Sequence, residues 1–337
     1  MRGILSGIRG RLGWAGERRA EERRADGGAR RVGLTLNAAT ERGGGSRSFA
    51  RVLADWLPRY GFEVTSDSAE ACDVLLVFAH LAGFRTLKRQ KRRGVKLVHR
   101  IDERLEPNES RFRRKKHDFI GRLNTLVDVT VFQSHFAKEN MSPILACPRS
   151  RVIHNGVDPT VFSADGPAPP LEGRPRVLHV SWSVGESKRL DRIAGLLDAL
   201  PREARVYLVG RQGETRLPFL GDPRVQQLGV KGREEVASLM RGSDLLFFPS
   251  EFDPCPNTVI EAMACGLPVL YHPSGGTVEL VGDAGVPFSG SLEADVSQLL
   301  ADRSALRERG LARAQELSAE RVAGRYAEVF RELLEGN

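Results

Sequence analysis

Residues 249–279 read Pro-Ser-Glu-Phe-Asp-Pro-Cys-Pro-Asn-Thr-Val-Ile-Glu-Ala-Met-Ala-Cys-Gly-Leu-Pro-Val-Leu-Tyr-His-Pro-Ser-Gly-Gly-Thr-Val-Glu, and they say more than any other stretch of the chain. Asp253 and Glu261 are separated by seven residues. Asp253 lies in a loop that follows the apolar run Leu245–Phe248, and Pro254 and Pro256 keep that loop from continuing as helix. Glu261 falls in the short helical pattern that follows. A strand, an irregular loop and a helix start in that order make an anion site, because first-turn N–H groups are unpaired and the dipole end is positive. Cys255, Asn257, Thr258 and Val259 are where those N–H groups would be offered. Two acids beside such a turn suit a ligand with both hydroxyls and phosphates, which describes a nucleotide sugar.

Outward from this stretch, short apolar runs alternate with amphipathic helical patterns. Towards the N-terminus of the chain, Val32–Leu36, Val74–Phe78, Val95–His99, Val129–Phe132 and Val152–His154 are strand candidates, with a helix expected over Ser46–Arg59. Asp165–Pro175, rich in Pro and Gly, reads as a linker. A second series holds Val177–Val180, Val206–Val209, Val225–Leu228, Leu245–Phe248, Val269–Tyr271 and Val286–Phe288. Helices are expected there at about 188–200, 232–242 and 257–265, and 292–335 is helical by pattern. Buried-type strands alternating with helices predict parallel sheets covered on both faces. The expected division is a basic tail at 1–30, a first domain at 31–165, a linker at 166–175, a second domain at 176–320 and a C-terminal helix at 321–337 that packs back on the first domain.

At 337 residues, with 41% apolar and 28% charged residues, the chain has the composition of a globular protein with room for two domains. No apolar run approaches a membrane span and nothing reads as a secretory signal. Cys72, Cys147, Cys255 and Cys265 have neither zinc-site nor disulfide spacing, so a reducing cytoplasm is the expected compartment. The net charge of +8 is uneven, since residues 1–31 alone carry nine Arg against four acids. Further basic clusters run from Arg85 to Arg93 and from Arg111 to Lys116. A positive half-molecule points to an anionic partner or to a merely solvated basic face, and among the partners a membrane surface would place the protein peripherally on the inner face. Ile4, Leu5, Ile8, Leu12 and Trp14 could form an apolar stripe for such a surface, against the alternative of an unstructured tail.

The stretch Pro-Asn-Thr-Val-Ile-Glu-Ala-Met-Ala-Cys-Gly-Leu-Pro-Val, residues 256–269, resembles the E-x7-E signature of the retaining family-4 glycosyltransferases of the GT-B fold. One departure is that Asp253 stands where that family has its first Glu; Glu251 is a competitor at the wrong spacing. The resemblance implies an α/β, GT-B architecture: two Rossmann-like parallel-sheet domains facing each other across a cleft. It also implies sugar transfer from a nucleotide-sugar to a glycan or lipid-linked acceptor, with retention, as in cell-surface polysaccharide or glycolipid synthesis.

By the same resemblance, Glu261 would hold the ribose, Asp253 a sugar hydroxyl and Lys188 the diphosphate. The family's second phosphate cation is absent, because Trp182 occupies its place; Arg189 and Arg211 are the available substitutes. Gly210 corresponds to the family's base-side loop. Gly43, Gly44 and Gly45 follow the first strand and remove Cβ hindrance, so their backbone could approach diphosphate and acceptor. They do not have dinucleotide-fingerprint spacing. His99 ends a strand and would meet the transferred sugar, with His80 as the alternative. Asp102, Ser134 and Asn155 would line the acceptor side.

The chain has no D-x-D sequence, so Lys and helix N-termini are expected to stabilise the leaving group without a metal or other cofactor. Nothing resembles a catalytic triad or a base-reading module, and no nucleic-acid partner is expected. Two other classes stay open: a silent sugar-nucleotide-binding scaffold, or another GT-B enzyme such as an epimerase or phosphorylase.

Overall fold

A computed structural model describes residues 29–36, 44–66, 71–106, 108–146, 149–181, 186–211 and 217–336. Residues 1–28 of the expected tail, Gly43, Cys147 and Trp182 lie outside the described residues. The chain divides into two compact units, Met1–His154 with Val322–Asn337, and Asn155–Arg321.

The first unit is built on a six-stranded sheet of order β2-β1-β3-β4-β5-β6. Its strands are β1 (Arg30–Leu34), β2 (Phe62–Thr65), β3 (Val74–Phe78), β4 (Lys96–Ile101), β5 (Val129–Phe132) and β6 (Ser150–Val152), every pairing parallel. Helices α1 (Gly45–Trp56), α2 (Phe84–Arg92), α3 (Arg111–Asn124) and α4 (His135–Met141) connect them. β3 is buried along its whole length, as its unbroken Val-Leu-Leu-Val-Phe requires. α1 ends three residues earlier than expected: Pro58 turns Leu57–Tyr60 into a 3₁₀ segment, and Gly61 at φ +83° closes it.

The second unit has its own six-stranded parallel sheet, ordered β12-β11-β10-β7-β8-β9. The strands are β7 (Arg176–Ser181), β8 (Arg205–Gly210), β9 (Val225–Gly229), β10 (Leu245–Phe248), β11 (Val269–Tyr271) and β12 (Gly285–Pro287). Between them run α5 (Arg192–Ala199), α6 (Arg233–Gly242), α7 (Asn257–Ala264) and α8 (Thr277–Val281). The single helical pattern at 292–335 is three helices, α9 (Leu292–Ala301), α10 (Arg303–Glu316) and α11 (Ala319–Glu335). One apolar cluster lies on each face of this sheet, one around Leu246, Val259 and Met263, the other around Leu208, Phe247 and Leu299.

Two boundaries differ from the expected ones. The stretch 166–175 is not a free linker. Pro167 O accepts from Ser238 Oγ and Arg241 Nε at 3.0 and 2.9 Å, Tyr207 donates to Glu172 O at 3.0 Å, and Leu171 packs on the core. Proline and glycine supply turns there, while the carbonyls find donors on α6 and β8. The second unit therefore begins at Asn155. Most of α11 folds with the first unit, where Tyr326 meets Phe49 at 5.7 Å between ring centroids and Phe330 meets Phe62 edge-on at 5.6 Å.

Candidate active site

In the second sheet, β8 and β9 lie on one side of β7, and β10, β11 and β12 on the other. The strand order therefore reverses between β7 and β10, and in open parallel sheets the crevice at such a reversal, beyond the carboxyl ends of the strands, is where ligands bind. The loop after β7 supplies Lys188 and the loop after β10 supplies Asp253. Their side chains meet there, Lys188 Nζ donating to Asp253 Oδ2 at 2.9 Å.

Lys188 ends a 3₁₀ turn, Glu186–Lys188, and does not open a long helix; α5 starts only at Arg192. Arg189, at φ +48°, intervenes in a left-handed conformation. Asp253 Oδ1 accepts the N–H of Cys255 at 3.2 Å, so that N–H is not on offer to a ligand, contrary to expectation. The N–H of Val259 goes to Pro256 O at 3.2 Å, and the Val259 side chain is core. At the Asn257–Thr258 end of α7 the N-cap is Pro256, which provides no side-chain acceptor, and the positive end of the helix dipole lies there. Glu261 sits one turn further along α7, and burial pushes its carboxyl up to about 7 against the pull of Arg233.

Gly275 holds the loop after β11 against this site. Its φ is +69°, and a Cβ there would come within 2.6 Å of Asp253 O. The next residue, Gly276, donates its N–H to the same carbonyl at 2.8 Å. Gly210 closes β8 at φ +119°, where a Cβ would lie 1.8 Å from Ser181 O; no other residue fits.

The proposed substitute cation Arg189 is committed elsewhere. It binds Asp191 at 2.8 Å and Glu251 at 2.5 Å, and these acids hold its pKa above the ordinary range. Arg192 joins the same Glu251 oxygen at 2.6 Å, with His272 Nε2 at 3.6 Å. The wrongly spaced acid is thus the anchor of an arginine clamp beside the site. Sequence reasoning missed this clamp because Glu251 and Arg192 are 59 residues apart with no periodic link. Arg211 is exposed at the end of β8.

Asn155 belongs to the second unit and braces the donor loop. Its amide donates to Cys255 O at 3.0 Å and to Asn257 Oδ1 at 2.7 Å, and its backbone N–H meets Cys255 Sγ at 3.3 Å. This corrects its placement on the acceptor side: opposite an Asn and a buried carbonyl, its amide is satisfied within the loop.

In the first unit the reversal falls between β1 and β3. Gly44 is the N-cap of α1 and Gly45 its first residue, so the described part of the glycine loop opens that helix. Asp102 accepts from Arg100 at 2.9 Å and from Ser46 Oγ, tying the start of α1 to the end of β4. Arg100 is itself buried over Phe49, 4.3 Å from the ring centroid. Ser134 is buried as the N-cap of α4, its Oγ accepting from Ala137 N at 2.9 Å, so it is a helix cap and not a ligand group.

His99 overturns its assignment as a sugar contact. It is 0% exposed, Nε2 donates to Ala79 O at 2.8 Å, and Nδ1 accepts from Asn124 at 3.1 Å. Burial lowers its pKa to about 4, so it is a neutral core histidine with both nitrogens used. His80 is the more exposed of the two, 3.9 Å from Glu103.

Among the described residues, no three His, Cys, Asp or Glu side chains are grouped to hold a metal, and no helix is long and apolar enough to cross a membrane.

Two Rossmann-like units of this topology define the GT-B class of fold. Among solved structures, sucrose-phosphate synthase from Thermosynechococcus elongatus superposes with a TM-score of 0.77 at 18% identity, over 91% of this chain and 100% of that one. Anabaena HepE in complex with UDP-glucose gives 0.71 at 17% identity, over 90% and 100%. The model of the glycosyl transferases group 1 family matches residues 174–302, a stretch that lies within the second unit. Sulfoquinovosyl transferase SQD2 of Arabidopsis thaliana is 31% identical over 111 residues, 32% of this chain and 21% of that protein. Glycogen synthase of Halorhodospira halophila (strain DSM 244 / SL1) is 32% identical over 131 residues, 36% of this chain and 27% of that protein. The matched stretch thus spans about a fifth to a quarter of these relatives' length.

Proposed function

We propose that the chain is a retaining glycosyltransferase that moves a sugar from a nucleotide-sugar to a hydroxyl of a glycan or lipid-linked acceptor. The observation that carries this is Lys188 paired with Asp253 at the reversal of the second sheet, in the loop that leads into α7. An incoming diphosphate exchanges the Asp253 carboxylate for its own oxygens on Lys188, and Asp253 is released to accept from a sugar hydroxyl. Glu261 receives the ribose hydroxyls. The bond from the anomeric carbon to the diphosphate oxygen breaks as the acceptor oxygen bonds on the same face, and the acceptor proton passes to the leaving phosphate. Lys188 and the Thr258 end of α7 neutralise the charge that develops on that phosphate, a role that needs no metal. HepE, whose structure holds UDP-glucose, supports a donor of that chemical class. Synthesis of cell-surface polysaccharide or glycolipid at the cytoplasmic face is the setting this reading favours.

The test is a thermal-shift screen against UDP-, GDP-, ADP- and dTDP-sugars in EDTA, followed by anomeric analysis of the product. A Tm rise for one nucleotide class and a product of retained configuration are expected. Flat curves with and without Mg²⁺, or an inverted product, overturn the proposal. The closed Lys188–Asp253 pair favours one second reading, a silent donor-binding scaffold; binding with neither transfer nor hydrolysis would establish it.

A further inference from the structure

The two basic clusters of the first unit, separated in sequence, belong to two helices that lie together. Arg122 of α3 stands over the Phe84 ring at the start of α2, 5.5 Å from its centroid, and Lys91 of α2 donates to Leu126 O just beyond α3 at 2.7 Å.

On α2, Leu87 and Gln90 are buried, and the opposite face carries Arg85, Lys88, Arg89 and Arg92, all exposed. Their spacing of i, i+3, i+4 and i+7 makes one stripe. The helix contains no acid, and among the described residues none of the four meets a carboxylate. On α3, His117, Ile120 and Leu123 face the core, while Arg111, Arg114, Lys115 and Arg122 are exposed on the other side with Asp118 as the single acid. The remaining α3 cations are neutralised at home, Arg113 by Glu106 and Lys116 by Glu103. Beside the outer stripe, in the first turn, Phe112 is 77% exposed, more than any other large apolar side chain described.

We propose that the α2–α3 face is a docking surface for an anionic lipid bilayer, with the Arg and Lys stripes on the headgroups and the Phe112 ring inserted between them. It rests on the reading of an acceptor at a membrane and adds the surface that makes the contact. Uncompensated positive charge fits a negative surface, and an exposed ring flanked by cations has an apolar environment to gain at the headgroup boundary and none in water. A single ring without further interleaved aromatics does not suit base stacking along a nucleic acid. The expected donor of binding energy is therefore this folded face and not the Arg-rich residues 2–28.

The full chain is tested by sedimentation with phosphatidylcholine vesicles containing phosphatidylglycerol, against phosphatidylcholine alone. The variants are Arg85→Glu/Lys88→Glu/Arg89→Glu, Phe112→Ser and a deletion of residues 2–28. Binding to the anionic vesicles only is expected, weakened at least about tenfold by the triple reversal, several-fold by Phe112→Ser and little by the deletion. Donor-induced Tm shifts should be unchanged in every variant, which reports folding and separates this proposal from the one on transfer. Equal binding to both vesicles, no binding, loss only on deletion, or tighter binding to duplex DNA through the same residues would each overturn it.

Discussion

Lys188 Nζ stands 2.9 Å from Asp253 Oδ2 across 65 residues of sequence. Strand order brings them together, since β7 and β10 are neighbours and each sends its loop to the same edge of the sheet. Replacing Lys188 by Ala removes the cation that faces the leaving diphosphate. The expected loss is about 10²–10³-fold in kcat, on the order of 3–4 kcal/mol of transition-state stabilisation, with little change in Tm. Steady-state transfer assays check this, and a kcat within threefold of the parent protein would remove Lys188 from the mechanism.

Glu261 gives a pH signature. In the unfolded chain its carboxyl titrates near 4.5, and in the fold near about 7, because burial disfavours the charged form. The folded state therefore holds this proton more tightly. Its contribution to stability is whole below pH 4.5 and is lost as pH rises through about 7. Glu261→Gln should accordingly gain in Tm relative to the parent as pH rises from 4.5 to 8, by an amount corresponding to about 1–3 kcal/mol, while its affinity for donor falls. A Tm difference that does not vary with pH would show that the carboxyl is not buried as described.

His99 and His179 act with the opposite sign. Both are buried, both have pKa values lowered to about 4 from 6.5, and each donates one bond to a backbone carbonyl, His99 to Ala79 O just past β3 and His179 to Phe247 O in β10. Their stability is whole above pH 6.5 and is lost as pH falls towards 4. His99→Ala should cost about 2–4 kcal/mol in urea denaturation at pH 7 and leave donor affinity unchanged. A variant with wild-type stability and impaired transfer would restore His99 to the site.

Gly275→Ala separates crowding from backbone strain. A Cβ at Gly275 meets backbone atoms of Asp253 at 2.6 and 2.8 Å, whereas Gly282, also at positive φ, has open space around it. Gly282→Ala should cost about 1–3 kcal/mol from its positive-φ backbone alone, φ +56° with ψ −123°. Gly275→Ala should cost more, and should also abolish the donor-induced Tm shift by displacing Asp253.

Much of this was legible in the chain, for reasons that differ by residue. Unbroken runs such as Val-Leu-Leu-Val-Phe announce buried parallel strands, and the spacing of Asp253 and Glu261 is local enough to survive folding. The Glu251 clamp was not legible, because its partners come from another loop. His99 was misread because a strand-end position says nothing about depth: only the fold reveals that Ala79 O and Asn124 enclose the ring. Asn155 was read by its neighbours in sequence, while its hydrogen bonds run a hundred residues away to Cys255.

α11 has a consequence for how the chain is made. The first unit's core is closed by Tyr326 and Phe330, packed on Phe49 and Phe62, and Gly324 lets the helix sit within reach of the Tyr60 hydroxyl. A ribosome delivers these aromatics only after the whole of 155–321 has emerged. The second unit is complete in sequence before the first, so the half synthesised first is the half that must wait. Its exposed sheet is in the meantime a client for chaperones, and a chain cut short after Arg321 would leave a folded second unit tethered to an unfinished first one.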